Sequence, residues 1–283
     1  MRGLDEIEAA LAAILQGGKS EIDGGEKGGT VAESRLREAI RWAVEGGGKR
    51  VRPRLCLAAA VAAGGREEDA VMPACAIELL HSYTLVHDDL PSMDNDVERR
   101  GKPSVWAKFG EAVAILAGDA LQAMAFSTAA RSPRNASRIV ASLAAAAVAV
   151  VRGQAADLGE EGEAPASQHL HSSTSPLTFI FENKTAALFV AAAEMGALAA
   201  GASEASIVSL REYARNLGFA FQYEDDLLDC GDGAFSSLSV FGEDEVCRRV
   251  QSHTDAALAA LKSLPGDSEP LAKLALSLVS RRR

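Results

Sequence analysis

Apolar residues recur at helical spacing along most of the chain. Leu4, Ile7, Leu11 and Leu15 share one face of residues 1–16, which predicts a helix there. Residues 17–29 are rich in glycine and charge and predict a flexible loop. Leu36, Ile40 and Ala43 mark the inward side of a helix over 33–44, closed by Gly46, Gly47 and Gly48. Pro53 opens the next helix, through Ala63, because proline is tolerated in a first helical turn. Residues 67–86 read as a long apolar helix running into acids at Asp88. Further helices are predicted over 112–130, 138–158, 185–200, 204–229 (as one or two), 255–261 and 271–280. No segment sustains strand alternation, and no Pro/Ser-rich linker divides the chain. The pattern predicts a single all-α domain over residues 1–283.

Composition sharpens this. The hydrophobic fraction is 48% but only 5% is aromatic, so alanine, the best helix former, supplies much of the core. A formal net charge of -10 argues against a nucleic-acid partner. It leaves room for a small phosphorylated substrate, which needs only local positive charge and metal ions. Cys56, Cys75, Cys230 and Cys247 have no metal-knuckle spacing and are too sparse for a disulfide framework. Reduced, mostly buried thiols in a cytoplasmic protein are expected. The first residues lack the apolar core of a signal peptide. The longest apolar run, Ile139 to Val151, is shorter than the ~20 residues of a membrane span, so no span is expected.

Two segments carry dense acid. The first, residues 81–106, reads HSYTLVHDDLPSMDNDVERRGKPSVW. Its carboxylates repel one another unless something cationic lies between them. Hard divalent cations prefer oxygen ligands, and magnesium typically takes one or two carboxylates plus substrate phosphates. Asp88 and Asp94 are six apart, off one face of an ideal helix, but Pro91 disrupts the turn between them and can swing Asp94 back. A solvated charged loop is the plain alternative, and the apolar approach through Leu79, Leu80, Leu85 and Val86 weighs against it. The second segment, residues 217–230, reads LGFAFQYEDDLLDC. Gln222, Asp225 and Asp229 share a helix face there. Its neighbours are too hydrophobic for a solvated face.

Basic residues complement these acids. Gly46 to Arg54 reads GGGKRVRPR, crowding Lys49, Arg50, Arg52 and Arg54 beside glycines that permit close backbone approach. Arginine forks match phosphate oxygens. Alone, the stretch reads as an ordinary basic turn. Arg99 and Arg100 follow the first acidic segment, His81 precedes it, and Lys184 and Thr185 open a predicted helix.

In these motifs the chain resembles the trans-isoprenyl diphosphate synthases, the farnesyl/geranylgeranyl diphosphate synthase family. GGGKRVRP, HSYTLVHDDLPSMDNDVERRGKPS, FGEAVAILAGDAL, GQAADL, NKTAALF and FQYEDDLLD occur in the family's order over residues 33–230. The resemblance implies a bundle of mostly antiparallel helices around a central cavity, usually homodimeric, and several Mg2+ ions bridging an allylic diphosphate. It implies that Asp88, Asp94 and Asp225 bind metal, with Asp89 and Asp229 in support. Lys49, Arg52, His81 and Arg100 would hold isopentenyl diphosphate, and Arg99 and Lys184 the allylic diphosphate. Thr185 and Gln222 would line the place where positive charge develops. Tyr83, five residues before Asp88, and Ser82 beside it would set product length. The DDxxxxD spacing with an upstream Tyr is closest to bacterial-type farnesyl diphosphate synthases, so a C15 product is expected. Geranyl or geranylgeranyl diphosphate synthesis, or a non-catalytic synthase subunit, is the alternative.

The chain departs from the family after the second motif. The usual GK…G.D loop is missing, and no lysine occurs between Lys184 and Lys262. PLTFIFEN, before Lys184, lacks the histidines common there. A terpene cyclase would share the metal chemistry, but it has no second diphosphate for GGGKRVRP to bind.

Overall fold

The computed structural model of the protein describes residues 2–21, 30–45, 47–161, 175–228 and 236–279. Two helices form the centre of the bundle, where apolar helices belong. They are α4 (Val71–Asp88) and α9 (Ala187–Ala200), each buried along nearly its whole length. The other long helices surround them. These are α1 (Arg2–Glu21), α2 (Val31–Glu45), α3 (Val51–Ala62), α6 (Glu111–Ala130), α7 (Ala136–Glu161), α10 (Glu204–Leu228), α12 (Glu243–Ala260) and α13 (Glu269–Val279). α4 packs on α6, α3 and α9, and α9 packs on α3, α10 and α7. Alanine lines many of these contacts and lets the backbones draw close. The expected all-α bundle is what forms. Among the described residues the only strands are two-residue partners, β1 (Glu98–Arg99) and β2 (Lys102–Pro103), antiparallel with Glu98 opposite Pro103.

The boundaries differ from the predicted ones for identifiable reasons. α1 runs on to Glu21, so part of the loop predicted over 17–29 is helical, and residues 22–29 lie outside the described residues. The helix predicted over 67–86 begins as a 3-10 turn (Glu67–Ala70) before α4. The helix predicted from Thr185 is preceded by α8 (Pro176–Ile180) and a π-helical turn (Phe181–Ala186), and α9 follows. α12 starts at Glu243, well before the predicted 255. Its outer face is charged, and only Val246, Val250, Thr254 and Ala257 face inward, a stripe too thin to stand out. α5 (Val105–Phe109), α8 and α11 (Ser237–Phe241) span barely a turn and show no period. Cys56 and Cys75 are buried, Cys247 is exposed, and Cys230 lies outside the described residues.

By length and composition α6 and part of α7 (Ala136–Gly159) are apolar enough to cross a membrane, over stretches longer than the run Ile139 to Val151. In each, 39% of the most apolar window is buried in the bundle.

A buried ion pair ties the first four helices together. Arg50 adopts a left-handed backbone (φ 46°) just before α3. Its Nη1 donates to Glu78 Oε1 of α4 at 2.6 Å, its Nε to Glu8 Oε1 of α1 at 2.7 Å, and its Nη2 to the Val44 carbonyl of α2 at 2.8 Å. Arg50 is 4% exposed and Glu78 2%. Removing one partner of such a pair strands the other charge in the core. Glu78→Ala is therefore expected to destabilise the fold by about 3–5 kcal/mol in urea unfolding. A loss below about 1 kcal/mol, the value of a surface pair, would show that the clasp does not hold the helices.

Candidate active site

α4 delivers Asp88 in its last turn and Asp89 just beyond it. Pro91 cannot extend the helix, and the chain turns back on itself. Asp94 N donates to the Asp88 carbonyl at 2.9 Å and Asn95 N to the Leu90 carbonyl at 3.1 Å, with Asn95 left-handed (φ 54°). The six-residue gap closes, and Asp94 comes back to Asp88. Burial pushes Asp88 up to about 7; Asp94 and Asp89 push the same way, while Lys184 and Arg99 oppose them. Burial also raises Asp94, with Lys184 opposing and Asp96 and Asp157 adding to the rise. Both carboxylates are thus held where negative charge is disfavoured, the condition a cation relieves.

Arg99, on the hairpin, is already engaged. Its Nε donates to Asp89 Oδ1 at 2.8 Å, and its Nη2 meets Asp89 and, at 2.7 Å, Asp96 Oδ2. Lys184 forms an ion pair with Asp157 of α7. Burial alone would lower Lys184, but Asp157, Asp88 and Asp94 together raise it, so it stays charged.

Lys184 reaches this position through the π-helical turn, whose extra residue per turn bulges one backbone segment inward. Two glycines make room for it. A Cβ on Gly153 of α7 would lie 2.3 Å from Lys184 N, and one on Gly218 of α10 would lie 2.7 Å from Ala186 Cα. An apolar cluster fastens the turn from outside, with Phe181 5.1 Å from the Tyr223 ring and 6.2 Å from Phe219. Thr185 Oγ1 then donates to Gln222 Oε1 at 2.7 Å. Gln222 Nε2 donates to Asp226 Oδ1 at 3.0 Å, and Asp226 Oδ2 accepts from Ser237 N at 2.7 Å and Ser237 Oγ at 2.5 Å. The second acidic segment is so joined to the first through Lys184 and Thr185. Asp229 lies outside the described residues.

The basic residues form the other wall. Arg52 Nη1 lies 3.1 Å from His81 Nε2, and the guanidinium sits 5.1 Å over the Phe189 ring. Burial lowers Arg52 to about 10, with Arg100 adding and Glu78 and Asp225 opposing, which places Asp225 within electrostatic reach of this wall. His81 is held well below its ordinary value, first by burial and then by Arg52, Arg100, Arg50 and Arg99. A neutral ring facing an arginine donor accepts at Nε2, which assigns the proton to Nδ1. That Nδ1 and Arg52 Nε are both buried without a hydrogen-bond partner among the described residues. Each is a donor of the kind an anionic oxygen satisfies. Arg100 donates to the Gly47 carbonyl and rests on Gly48, 53 residues from its hydrogen-bond partner in sequence. Lys49 is exposed on the same loop.

Of the two residues expected to set product length, Ser82 is buried beside Asp89, Arg99 and Arg100. Tyr83 turns to α6 instead, its hydroxyl hydrogen-bonded to Gln122 and its ring centre 5.0 Å from that of His87 on its own helix, edge to face. Asp157, Asp226 and the Arg50–Glu78 clasp were not singled out from sequence. Asp157 lies inside the quoted GQAADL, but only the fold shows that it faces Lys184.

A hard divalent cation suits the donors at Asp88, Asp94 and Asp225, which offer carboxylate oxygens only. Among the described residues no three His, Cys, Asp or Glu side chains gather into a metal cage.

Known proteins resemble the chain in sequence and fold. Geranylgeranyl pyrophosphate synthase 11, chloroplastic, of Arabidopsis thaliana is 43% identical over 76% of this chain and 61% of its own length. Geranylgeranyl diphosphate synthase of Cyanophora paradoxa is 46% identical over 69% of this chain and 65% of its own. The chain therefore spans less than two thirds of the length of these curated relatives. An FPP/GFPP synthase from Zymomonas mobilis superposes with a TM-score of 0.80 at 33% identity, covering 98% of this chain and 100% of that one. Geranylgeranyl pyrophosphate synthetase from Pyrococcus horikoshii gives 0.80 at 29% identity, covering 99% and 96%. The polyprenyl synthetase family model matches residues 33–246, which include the basic loop and both acidic segments, and the chain belongs to that family.

Proposed function

We propose that the protein is a short-chain trans-prenyltransferase that condenses isopentenyl diphosphate with an allylic diphosphate to give geranylgeranyl diphosphate. One observation carries the reaction class: there are two separate places for an anion. One is the orphaned donor pair, Arg52 Nε and His81 Nδ1. The other is Lys184, held between Asp157 and the Asp88–Asp94 pair. A cyclase needs only the second.

The relatives favour C20 over the C15 product expected from Tyr83. Proteins named geranylgeranyl diphosphate synthases match at 43–46% identity.

In this reading Arg52, His81, Arg100 and Lys49 hold isopentenyl diphosphate, while Lys184 holds the allylic diphosphate. Magnesium, when bound at Asp88, Asp94 and Asp225, neutralises the leaving diphosphate. Lys184 meets the same developing charge with a fixed ammonium, which Asp157 keeps in place. The allylic C–O bond breaks, the double bond of isopentenyl diphosphate attacks the cation, and the released diphosphate takes the proton that is lost. The apolar walls of α4 and α9 keep out water that would quench the cation. Asp89 anchors Arg99, and so the hairpin that carries Arg100.

The partner in assembly is a second copy of the chain. Ile115 and Leu116 of α6 and Val148 and Val151 of α7 are exposed, and in each helix only 39% of the most apolar window is buried. A homodimer would cover them.

Two experiments test this. With Mg2+, isopentenyl diphosphate and dimethylallyl, geranyl or farnesyl diphosphate, the products should end at C20, and Tyr83→Ala should shift them to longer chains. Products stopping at C15 would restore the farnesyl reading, no turnover without a second protein would indicate a non-catalytic subunit, and an unchanged Tyr83→Ala profile would remove Tyr83 from length control. For assembly, sedimentation should show a dimer that Val148→Glu converts to monomer; a parent monomer would refute the shared face.

A further inference from the structure

The two polar side chains expected to line the developing positive charge are already committed to each other. Thr185 Oγ1 donates to Gln222 Oε1, and Gln222 Nε2 donates to Asp226. These bonds take one lone pair of the Gln222 oxygen and one hydrogen of its nitrogen and fix the orientation of the amide.

Gln154 of α7 is different. It is 7% exposed, and both its Nε2 and its Oε1 lack a hydrogen-bond partner among the described residues. An orphaned buried polar atom leaves its desolvation uncompensated, and this side chain carries two. A core position tolerates that poorly unless the amide has work to do.

Its place in the fold says what the work is. Gln154 precedes Asp157 by three residues and shares its helix face. Asp157 pairs with Lys184 and lies within electrostatic reach of Asp94, which marks the level of the diphosphate. Gly153, next to Gln154, presses α7 against the backbone of Lys184. Both α4 and α7 bring their carboxyl-terminal turns to this level, so a step towards the start of either helix leads deeper into the bundle. Gln154 therefore sits about 4.5 Å below Asp157, nearly one turn deeper along α7. The carbon that bears the diphosphate lies about that far below it.

Resting on the prenyltransferase reading above, we infer that the Gln154 amide touches the reacting allylic carbons and that its oxygen stabilises the positive charge developing on them. It is a catalytic residue outside both acidic segments. The C–O bond broken, the C–C bond formed and the fate of the proton are those already described; Gln154 supplies a dipole and forms no covalent bond.

The test compares the parent with Gln154→Leu and Gln154→Glu in steady-state prenyl transfer and in ligand-free thermal melting. Gln154→Leu should lower kcat roughly ten- to a hundredfold, the scale of losing one preorganised dipole, and leave KM for both diphosphates within about threefold. Its melting temperature should equal or exceed the parent's, because two unsatisfied atoms are gone. Gln154→Glu, which keeps an oxygen at that point, should recover part of kcat. A kcat for Gln154→Leu within about threefold of the parent overturns the inference. So does a lower melting temperature accompanying the loss, since that would show an amide bonded for structure. If the parent forms no prenyl product, the reaction class itself falls; a lowered melting temperature in Gln154→Leu would then still refute the orphaned amide.

Discussion

The structure is organised around negative charge buried at the carboxyl end of α4. A carboxylate there meets three penalties at once: desolvation, other carboxylates and the negative pole of the helix dipole. Asp88 accordingly is pushed up to about 7. The protein relieves this only in part. Arg99 is engaged by Asp89 and Asp96, and Lys184 is engaged by Asp157. The residual charge asks for a cation that brings its own anionic ligand, which is the chemistry of a metal diphosphate. What the folded protein bears as strain without ligand becomes affinity when that complex arrives.

The remaining architecture delivers the counter-charges to that point. Arg50, clamped by Glu78 and Glu8, fixes the start of α3 and so the position of Arg52 beside His81. The π-helical turn, admitted by Gly153 and Gly218 and braced by Phe181 against Phe219 and Tyr223, carries Lys184 and Thr185 to the acids. The Asp226–Ser237 contacts hold Gln222 from the far side. Acids, lysine and arginines come from α3, α4, α7, α10, the π-helical turn and the hairpin with the turn before it, so the site exists only in the assembled bundle.

Much of this was legible in the sequence. The apolar runs of α4 and α9 give their burial away, and Pro91 foretells the turn that returns Asp94 to Asp88. Arg52, His81 and Arg100 were grouped on motif alone and do meet. Other features were hidden by their physics. A π-helical turn has no apolar period distinct from an α-helix, so its start at Phe181 is invisible until packing shows it. Asp157 and Glu78 look like ordinary helix acids, because their partners, Lys184 and Arg50, lie far away in sequence. Tyr83 was placed correctly on α4, but the direction of its ring depends on Gln122 of another helix.

The most direct measurement is calorimetric titration of the purified protein with a non-ionising allylic thiolodiphosphate, with and without Mg2+. Asp88 and Asp94 repel a bare diphosphate and attract one that carries metal. The account predicts tight binding with Mg2+ and at least a hundredfold weaker binding without it, the scale of about 2.7 kcal/mol. Equal affinity in both conditions would contradict it, because the buried carboxylates would then have no part in holding the diphosphate.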